Sequence, residues 1–276
     1  MNTKILYGRP VANAYREKIA KKIADRKEKG KATALAILLV GDDGASKSYL
    51  QRITKLTKEL GGVAKQFVFP AKTSEKEVLA CIEKLNKDKK IDGIMPLFPM
   101  PEQINPNTVG DAVSPAKDLD CTNSINIGEF FAGRSPWAPA TARACLATLK
   151  HYGIKLDGKH AVVIGRSNVV GKPVANLLLN ENCTVTICHS HTKKLAAITA
   201  TADILIAAVG VPKFVKPSMI KDGAVLIDVG INVTEKGIVG DICPNCYKKA
   251  KAYTPVPGGI GVVSNMMLLE RLVRGS

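Results

Sequence analysis

The sequence predicts an α/β protein of two domains, and three observations carry that reading. Short runs of Val, Ile, Leu and Ala alternate with helical patterns, the order that βαβ units and a parallel sheet require. A Pro- and Ala-rich stretch at residues 135–141 separates a first series of such units from a second. Near residue 165 the chain reads Ala161-Val-Val-Ile-Gly-Arg-Ser-Asn-Val-Val-Gly-Lys-Pro173, a buried strand turning sharply into a helix. The free N–H groups at such a helix start can cradle a phosphate. The second series is therefore read as a Rossmann-type, doubly wound nucleotide-binding domain.

Taken in order, residues 11–29 set apolar positions at helical spacing among Lys and Arg, predicting an amphipathic surface helix. Residues 33–40 read as a strand, and 46–60 as a helix that Gly61-Gly62 ends. Residues 63–69 alternate as a strand. The helix at 74–85 opens on Ser-Glu-Lys-Glu, a capping-box pattern. Residues 91–99 form a strand running into a Pro-rich loop. A helix at 142–151 leads to the second domain, whose strands fall at 160–164, 184–189, 204–208 and 224–229. Residues 263–274 are helical again.

Composition narrows the function. The chain has 276 residues, 46% hydrophobic but only 5% aromatic, which suits an α/β enzyme core. No apolar run approaches the roughly 18 residues of a membrane span. The first residues lack the apolar core of a signal peptide, so the cytoplasm is the expected compartment. Lys and Arg outnumber Asp and Glu by 40 to 24, a net charge of +16. Lysines such as Lys18, Lys21, Lys22, Lys27, Lys29 and Lys31 sit on helical faces without interleaved aromatics. That favours a field for anionic small molecules over nucleic-acid binding. Seven scattered cysteines read as reduced, mostly buried thiols. Cys243-Pro-Asn-Cys246 has no second pair, and His189 with His191 has no third ligand in view, so no metal is expected.

The nucleotide segment, Gly165-Arg-Ser-x-x-Val-Gly171, departs from G-x-G-x-x-G. The next strand ends in Cys188-His-Ser-His-Thr192, where an adenosine ribose would lie. An NAD site would place Asp or Glu there to hold the 2′-hydroxyl. Here Arg166 and Ser190 can instead receive a 2′-phosphate, which points to NADP. Two further strand ends, Ala208-Val-Gly210-Val-Pro and Asp228-Val-Gly230-Ile-Asn232, put glycines at the carboxyl edge where ligands bind.

Together these segments resemble the bifunctional methylenetetrahydrofolate dehydrogenase/methenyltetrahydrofolate cyclohydrolase family almost end to end. The matching motifs are Val40-Gly-Asp-Asp-Gly-Ala-Ser-Lys-Ser-Tyr49, Asp92-Gly-Ile, Lys117-Asp-Leu-Asp120, the Gly165–Pro173 segment, Asp228-Val-Gly-Ile-Asn232, Gly240-Asp241 and Thr254-Pro-Val-Pro-Gly-Gly-Ile-Gly261. The resemblance implies a folate-binding catalytic domain at residues 1–138, to which a C-terminal helix at 262–276 returns. It implies an NADP-binding Rossmann domain at 139–261, a homodimer, and tetrahydrofolate one-carbon derivatives as substrates. The family's folate-stacking tyrosine falls on Tyr49 and its pterin-binding aspartate on Asp120. The substrate loop falls on Pro257, Gly258, Gly259, Ile260 and Gly261. The NADP contacts fall on Gly165, Arg166, Ser167, Ser190 and Ile231.

This chain departs from the family at two linked positions. The family helix reads Tyr-x-x-x-Lys, and at about 100° per residue the two side chains share a face. Here the lysine position is Ile53. The family's supporting Gln, in a segment like Val-Gln-Leu-Pro-Leu-Pro, is Leu97 in Pro96-Leu-Phe-Pro-Met-Pro101. Arg52 stays protonated and makes a poor base, and Lys55 points to another face. Hydride loss from a carbon flanked by two nitrogens needs orientation more than a base. Hydrolysis of the methenyl product is general acid–base work suited to a tunable amine. The expectation is an NADP-dependent dehydrogenase with weak or lost cyclohydrolase activity. The alternatives are a fully bifunctional enzyme, or one with an altered one-carbon carrier. Milder departures are Pro139-Ala-Thr-Ala142, Gly261-Val-Val-Ser264 and Cys121, which replaces the glycine after the pterin-binding aspartate.

Overall fold

A computed structural model describes residues 3–235 and 237–273. The chain runs β1 (Lys4–Ile5), α1 (Gly8–Glu28), β2 (Ala34–Val40), α2 (Gly44–Glu59), β3 (Val63–Phe69), α3 (Glu75–Lys87), β4 (Gly93–Pro96), α4 (Pro106–Ala112) and α5 (Ser124–Phe131). It continues with α6 (Ala140–His151), β5 (His160–Ile164), α7 (Gly171–Asn180), β6 (Thr184–Cys188), α8 (Leu195–Thr199), β7 (Ile204–Ala207) and β8 (Val225–Asp228). The last elements are β9 (Asn232–Thr234), β10 (Gly237–Val239), β11 (Ala252–Tyr253) and α9 (Ile260–Leu272). Two compact units result. One takes the chain up to Asn13 with Pro139–Met267, and the other takes Ala14–Ala138 with the residues from Leu268 on.

The unit built on residues 14–138 centres on a parallel sheet of order β3-β2-β4. Ala-Leu-Ala-Ile-Leu-Leu-Val makes β2 its middle strand, because a strand paired on both edges and covered on both faces needs an unbroken apolar run. All seven of its residues are buried, whereas the edge strand β3 alternates in exposure. Helix α3 packs Val78, Ile82 and Leu85 against Ala36, Leu38 and Val40. Its capping box forms as the sequence predicts: Glu77 N–H donates to Ser74 Oγ, and Ser74 N–H donates to the Glu77 carboxylate. Strand β4 stops at Pro96, three residues before the expected end. Leu97 N–H still donates to Leu38 O (2.9 Å), but Pro99 has no N–H to carry the ladder on. Helices α4 and α5, of seven and eight residues, are too short for periodicity to reveal. Asn105 and Asn123 start them by accepting N–H bonds from Asn107 and Ile125.

The other unit is the doubly wound one. Its parallel sheet has the order β1-β11-β8-β7-β5-β6. The chain leaves β5 for β6 on one side and returns to β7 on the other. A topological switch point therefore opens between the carboxyl ends of β5 and β7, where this architecture binds ligands. Val162, Ile164, Leu205, Ala207 and Leu226 form the core beneath it. No helix among the described residues is long and apolar enough to cross a membrane.

Candidate functional site

At that switch point lies a cavity of about 580 Å³. Gly165 ends β5 with φ +124°, and a Cβ there would overlap the Ala208 carbonyl oxygen. Gly171 opens α7, and a Cβ there would overlap the backbone of Gly165 and Arg166. Both glycines are thus required by close approach of backbone to backbone, and the α7 N-terminus is drawn into the cavity rim. Ser167 pins the turn, its Oγ accepting the N–H groups of Val170 (3.2 Å) and Gly171 (3.4 Å). The hydroxyl proton is left to donate to a ligand oxygen. Four of the five expected cofactor contacts, Gly165, Arg166, Ser167 and Ser190, line this one cavity. Ile231 is not among its lining residues; it is 62% exposed, and a Cβ at Gly261 would come within 3.4 Å of its Cδ1. No carboxylate lines the cavity. A ribose 2′-hydroxyl would find no acceptor of that kind, whereas a 2′-phosphate would find Arg166. The cradle therefore fits NADP.

The lining also includes Val209 and Val211, from the Ala208-Val-Gly210-Val-Pro strand end, and Phe214, which sequence reasoning missed. Their placement depends on two buried aspartates remote in sequence. Asp241 accepts the N–H groups of Val209 (2.7 Å), Gly210 (2.9 Å) and Val211 (3.0 Å), and the Asn232 amide (2.9 Å). Asp228 accepts from Gly230 (3.0 Å), Asp241 (2.9 Å) and Ile242 (2.9 Å), while its own N–H donates to Thr254 Oγ1. Burial pushes the Asp228 carboxyl up to about 6, its three N–H donors pull it down, and the Asp241 charge adds to the rise. Gly230 and Gly240 lie so close to these carboxylates that a Cβ at either would overlap them. The motifs Asp228-Val-Gly and Gly240-Asp are therefore one device that shapes the cofactor loop. Asp241→Asn turns one acceptor oxygen into a donor facing N–H groups. It is expected to cost about 1–3 kcal/mol in urea unfolding and to raise the NADP KM by about tenfold or more.

His189 and His191 stand with ring centroids 6.0 Å apart, and His191 N–H donates to His189 Nδ1. Among the described residues no group of three or more His, Cys, Asp or Glu is placed to hold a metal. Cys246 Sγ is buried and donates to Val215 O, and burial pushes its thiol up to about 11.

The expected folate residues on the other unit gather at the carboxyl end of the β3-β2-β4 sheet. Asp43 caps α2 by accepting the Ser46 N–H (2.7 Å), and within that helix Tyr49 and Ile53 lie one turn apart. Burial raises the Tyr49 phenol above its ordinary pKa. The Asp120 charge adds to the rise and Arg52 offsets part of it, so Tyr49 is a neutral ring with a hydroxyl and no base. Ile53 is 0% and Leu97 4% exposed. Lys55 is 80% exposed on the solvent side, beside Glu59.

The Lys117-Asp-Leu-Asp120 motif divides its labour. Lys117 Nζ donates to the carbonyls of Leu85 and Asp88, closing the end of α3. Asp118 accepts from Thr122, Asn123 and Asn126, fixing the following loop. Ile94 bridges Asp118 in parallel, so the chain carries Asp120 on toward the carboxyl end of β4. Cys121 then adopts φ +56°, the left-handed backbone for which glycine is the easy residue. Burial pushes its thiol up to about 12, and Sγ donates to Trp137 O.

The 257–261 loop lies on the nucleotide-binding unit. Gly258 has φ +101°, a Cβ at Gly259 would overlap Pro255 O, and Gly8 N–H donates to Gly258 O (2.8 Å). Ile260, 2% exposed, starts α9. Ser264 Oγ lies 3.4 Å from Thr141 Oγ1, so the two hydroxyls kept at the altered motifs meet.

Comparison with known proteins matches two family models in tandem. The catalytic-domain model of tetrahydrofolate dehydrogenase/cyclohydrolase covers residues 6–120, and its NAD(P)-binding domain covers 139–276. A protein of Geotalea daltonii named bifunctional protein FolD is 46% identical over 96% of each chain. The crystal structure of the bifunctional FolD methylenetetrahydrofolate dehydrogenase/cyclohydrolase of Campylobacter jejuni superposes with a TM-score of 0.96. It is 36% identical, covering 99% of this chain and 98% of its own. The Trypanosoma brucei methylenetetrahydrofolate dehydrogenase-cyclohydrolase, solved with NADP and an inhibitor, gives a TM-score of 0.92. It is 32% identical, covering 98% and 96% of the two chains.

Proposed function

Because this chain belongs to the tetrahydrofolate dehydrogenase/cyclohydrolase family, we propose that it oxidises 5,10-methylenetetrahydrofolate to 5,10-methenyltetrahydrofolate and hydrolyses the product poorly or not at all. The observation that carries this reading is the apolar pair Ile53 and Leu97, both buried, where the resemblance calls for Lys and Gln. NADP supplies the hydride acceptor, and Gly165, Arg166, Ser167 and Ser190 would hold it. Tyr49 offers a neutral ring for stacking on the pterin, and Asp120 a carboxylate to its N–H edge. The resemblance also assigns residues 257–261 to the substrate loop.

The chemistry separates the two steps. Hydride departure is driven by the flanking nitrogen lone pairs of the substrate, so this protein need only orient the carbon and exclude water. Hydrolysis needs a group that moves protons near neutral pH. At α2 the chain presents a neutral phenol, an aliphatic side chain and a permanently charged guanidinium. Loss of the lysine also accounts for the second change, since a buried Gln without its partner costs roughly 1–3 kcal/mol and Leu removes that cost.

With methylenetetrahydrofolate and NADP, NADPH and the methenyl chromophore should rise in step, and methenyl should then decay at the buffer rate. NADPH rising without methenyl accumulation would mean that another group performs the hydrolysis and that the enzyme is bifunctional. The resemblance further supports a cytoplasmic location and a homodimer, the latter to be borne out by a solution mass twice that of the chain.

A further inference from the structure

We propose that the amino-terminal edge of the β3-β2-β4 sheet carries a second binding site, for a linear polyanion without a ring: a chain of phosphates or of carboxylates. A cavity of about 1000 Å³ opens there. Its lining includes six cations, Arg26, Lys29, Lys31, Lys65, Lys89 and Lys90, and a single acid, Asp92. That acid is already engaged, by Arg26 at 2.5 Å and by the Ala34 N–H at 2.7 Å. Among the described residues none of the five lysines forms an ion pair, although exposed lysines elsewhere, such as Lys87, Lys150 and Lys221, do.

The charge balance decides the sign of the site. Six cations against one acid leave five positive charges around one concavity. Helices α1 and α3 both end at this rim, and each C-terminus contributes roughly half a negative charge, offsetting about one of the five. The field stays strongly positive. Unpaired like charges held together repel, and a polyanion relieves that repulsion.

The lining also selects the ligand class. It contains no aromatic residue, so it offers no shelf on which a base could stack. Ammonium groups on flexible stems are point charges that follow successive oxyanions rather than clamp one planar group. Gly30, Ala32 and Ala34 leave low relief between them, room for an extended chain. The site lies at the opposite end of β2 from Tyr49, about 20 Å away along seven residues of strand. Occupancy should therefore leave turnover unchanged.

The test uses the protein saturated with NADP, so that the nucleotide cavity is filled. Calorimetric titration compares tripolyphosphate, pentaglutamate and orthophosphate. The expected result is one polyanion per chain, bound at least about tenfold more tightly than orthophosphate and weakened about tenfold between about 0.05 and 0.3 M salt. The preferred polyanion identifies the source, phosphate or carboxylate. Lys29→Glu/Lys31→Glu/Lys89→Glu should weaken binding about 30-fold or more at unchanged dehydrogenase turnover. Should that variant misfold, Lys65→Glu/Lys90→Glu must show the same loss. No binding beyond orthophosphate, or binding retained in folded variants, overturns the site. An oligouridylate bound more tightly per phosphate than tripolyphosphate overturns the ring-free assignment.

Discussion

The double variant Ile53→Lys/Leu97→Gln is expected to hydrolyse the methenyl product at least about 100-fold faster than the natural chain, the lower end of what a positioned acid–base group contributes. Both positions are buried and lie on elements whose backbone geometry is already set. Ile53 follows Tyr49 by one turn of α2, and Leu97 is tied to β2 through its N–H. New side chains there inherit fixed positions. The single variant Ile53→Lys should be much worse folded, because an ammonium at a site with 0% exposure and no partner costs about 3–5 kcal/mol. Adding Leu97→Gln supplies a carbonyl acceptor and should recover part of that loss. Urea unfolding of the two single variants and the double variant measures the coupling between the sites. Dehydrogenase kcat should change only a few-fold, since orientation rather than proton transfer limits that step. A folded double variant that leaves methenyl at the buffer rate would show that the pair is not what separates the two activities.

Gly171→Ala should abolish useful NADP binding, weakening it by about 100-fold or more, and should cost roughly 1–3 kcal/mol of stability. The added methyl overlaps the backbone of Gly165 and Arg166, not the end of a flexible side chain. Relief therefore requires the whole strand-to-helix turn to open, which moves the α7 N–H groups and Ser167 away from a bound phosphate. A matched control separates this from a general effect of replacing glycine. Gly128 sits inside α5 with nothing near its missing Cβ and no left-handed φ. Gly128→Ala should stabilise the protein by about 0.5–1 kcal/mol and leave the NADP Kd unchanged. Fluorescence titration with NADP alongside urea unfolding reads both quantities. Equal affinity in the Gly171 and Gly128 variants would remove the steric account of the cradle.

Much of the fold was legible because its causes are local. An unbroken apolar run marked β2, the Ser74–Glu77 capping box marked α3, and Gly61 with φ +89° closed α2. The nucleotide turn was legible for a steric reason, since only glycine tolerates the approach of β5 to β7 and of α7 to β5. The departures at Ile53 and Leu97 were visible as letters, and helical geometry alone placed Ile53 on the Tyr49 face.

Other features had no local signal. Asp228 and Asp241 carry nothing nearby to show that they share a buried network, because their partners lie 2 to 32 residues away. Phe214 reaches the cofactor cavity only because Asp241 folds the 209–211 segment back. Lys29 and Lys31 read from sequence only as two of several lysines on helical faces, a diffuse field for anionic small molecules. They join Lys65, Lys89 and Lys90 only once three strands align their amino ends. Periodicity and the sterics of single residues act within a turn or a strand, so the order of residues alone determined the α/β class, the phosphate turn and the apolar Ile53 at the position where the resemblance calls for a lysine. Burial and electrostatics sum over groups distant in the chain, so folding alone decided that Asp228 is shielded, that the Tyr49 phenol is pushed above its ordinary pKa, and that five lysines line one cavity unpaired.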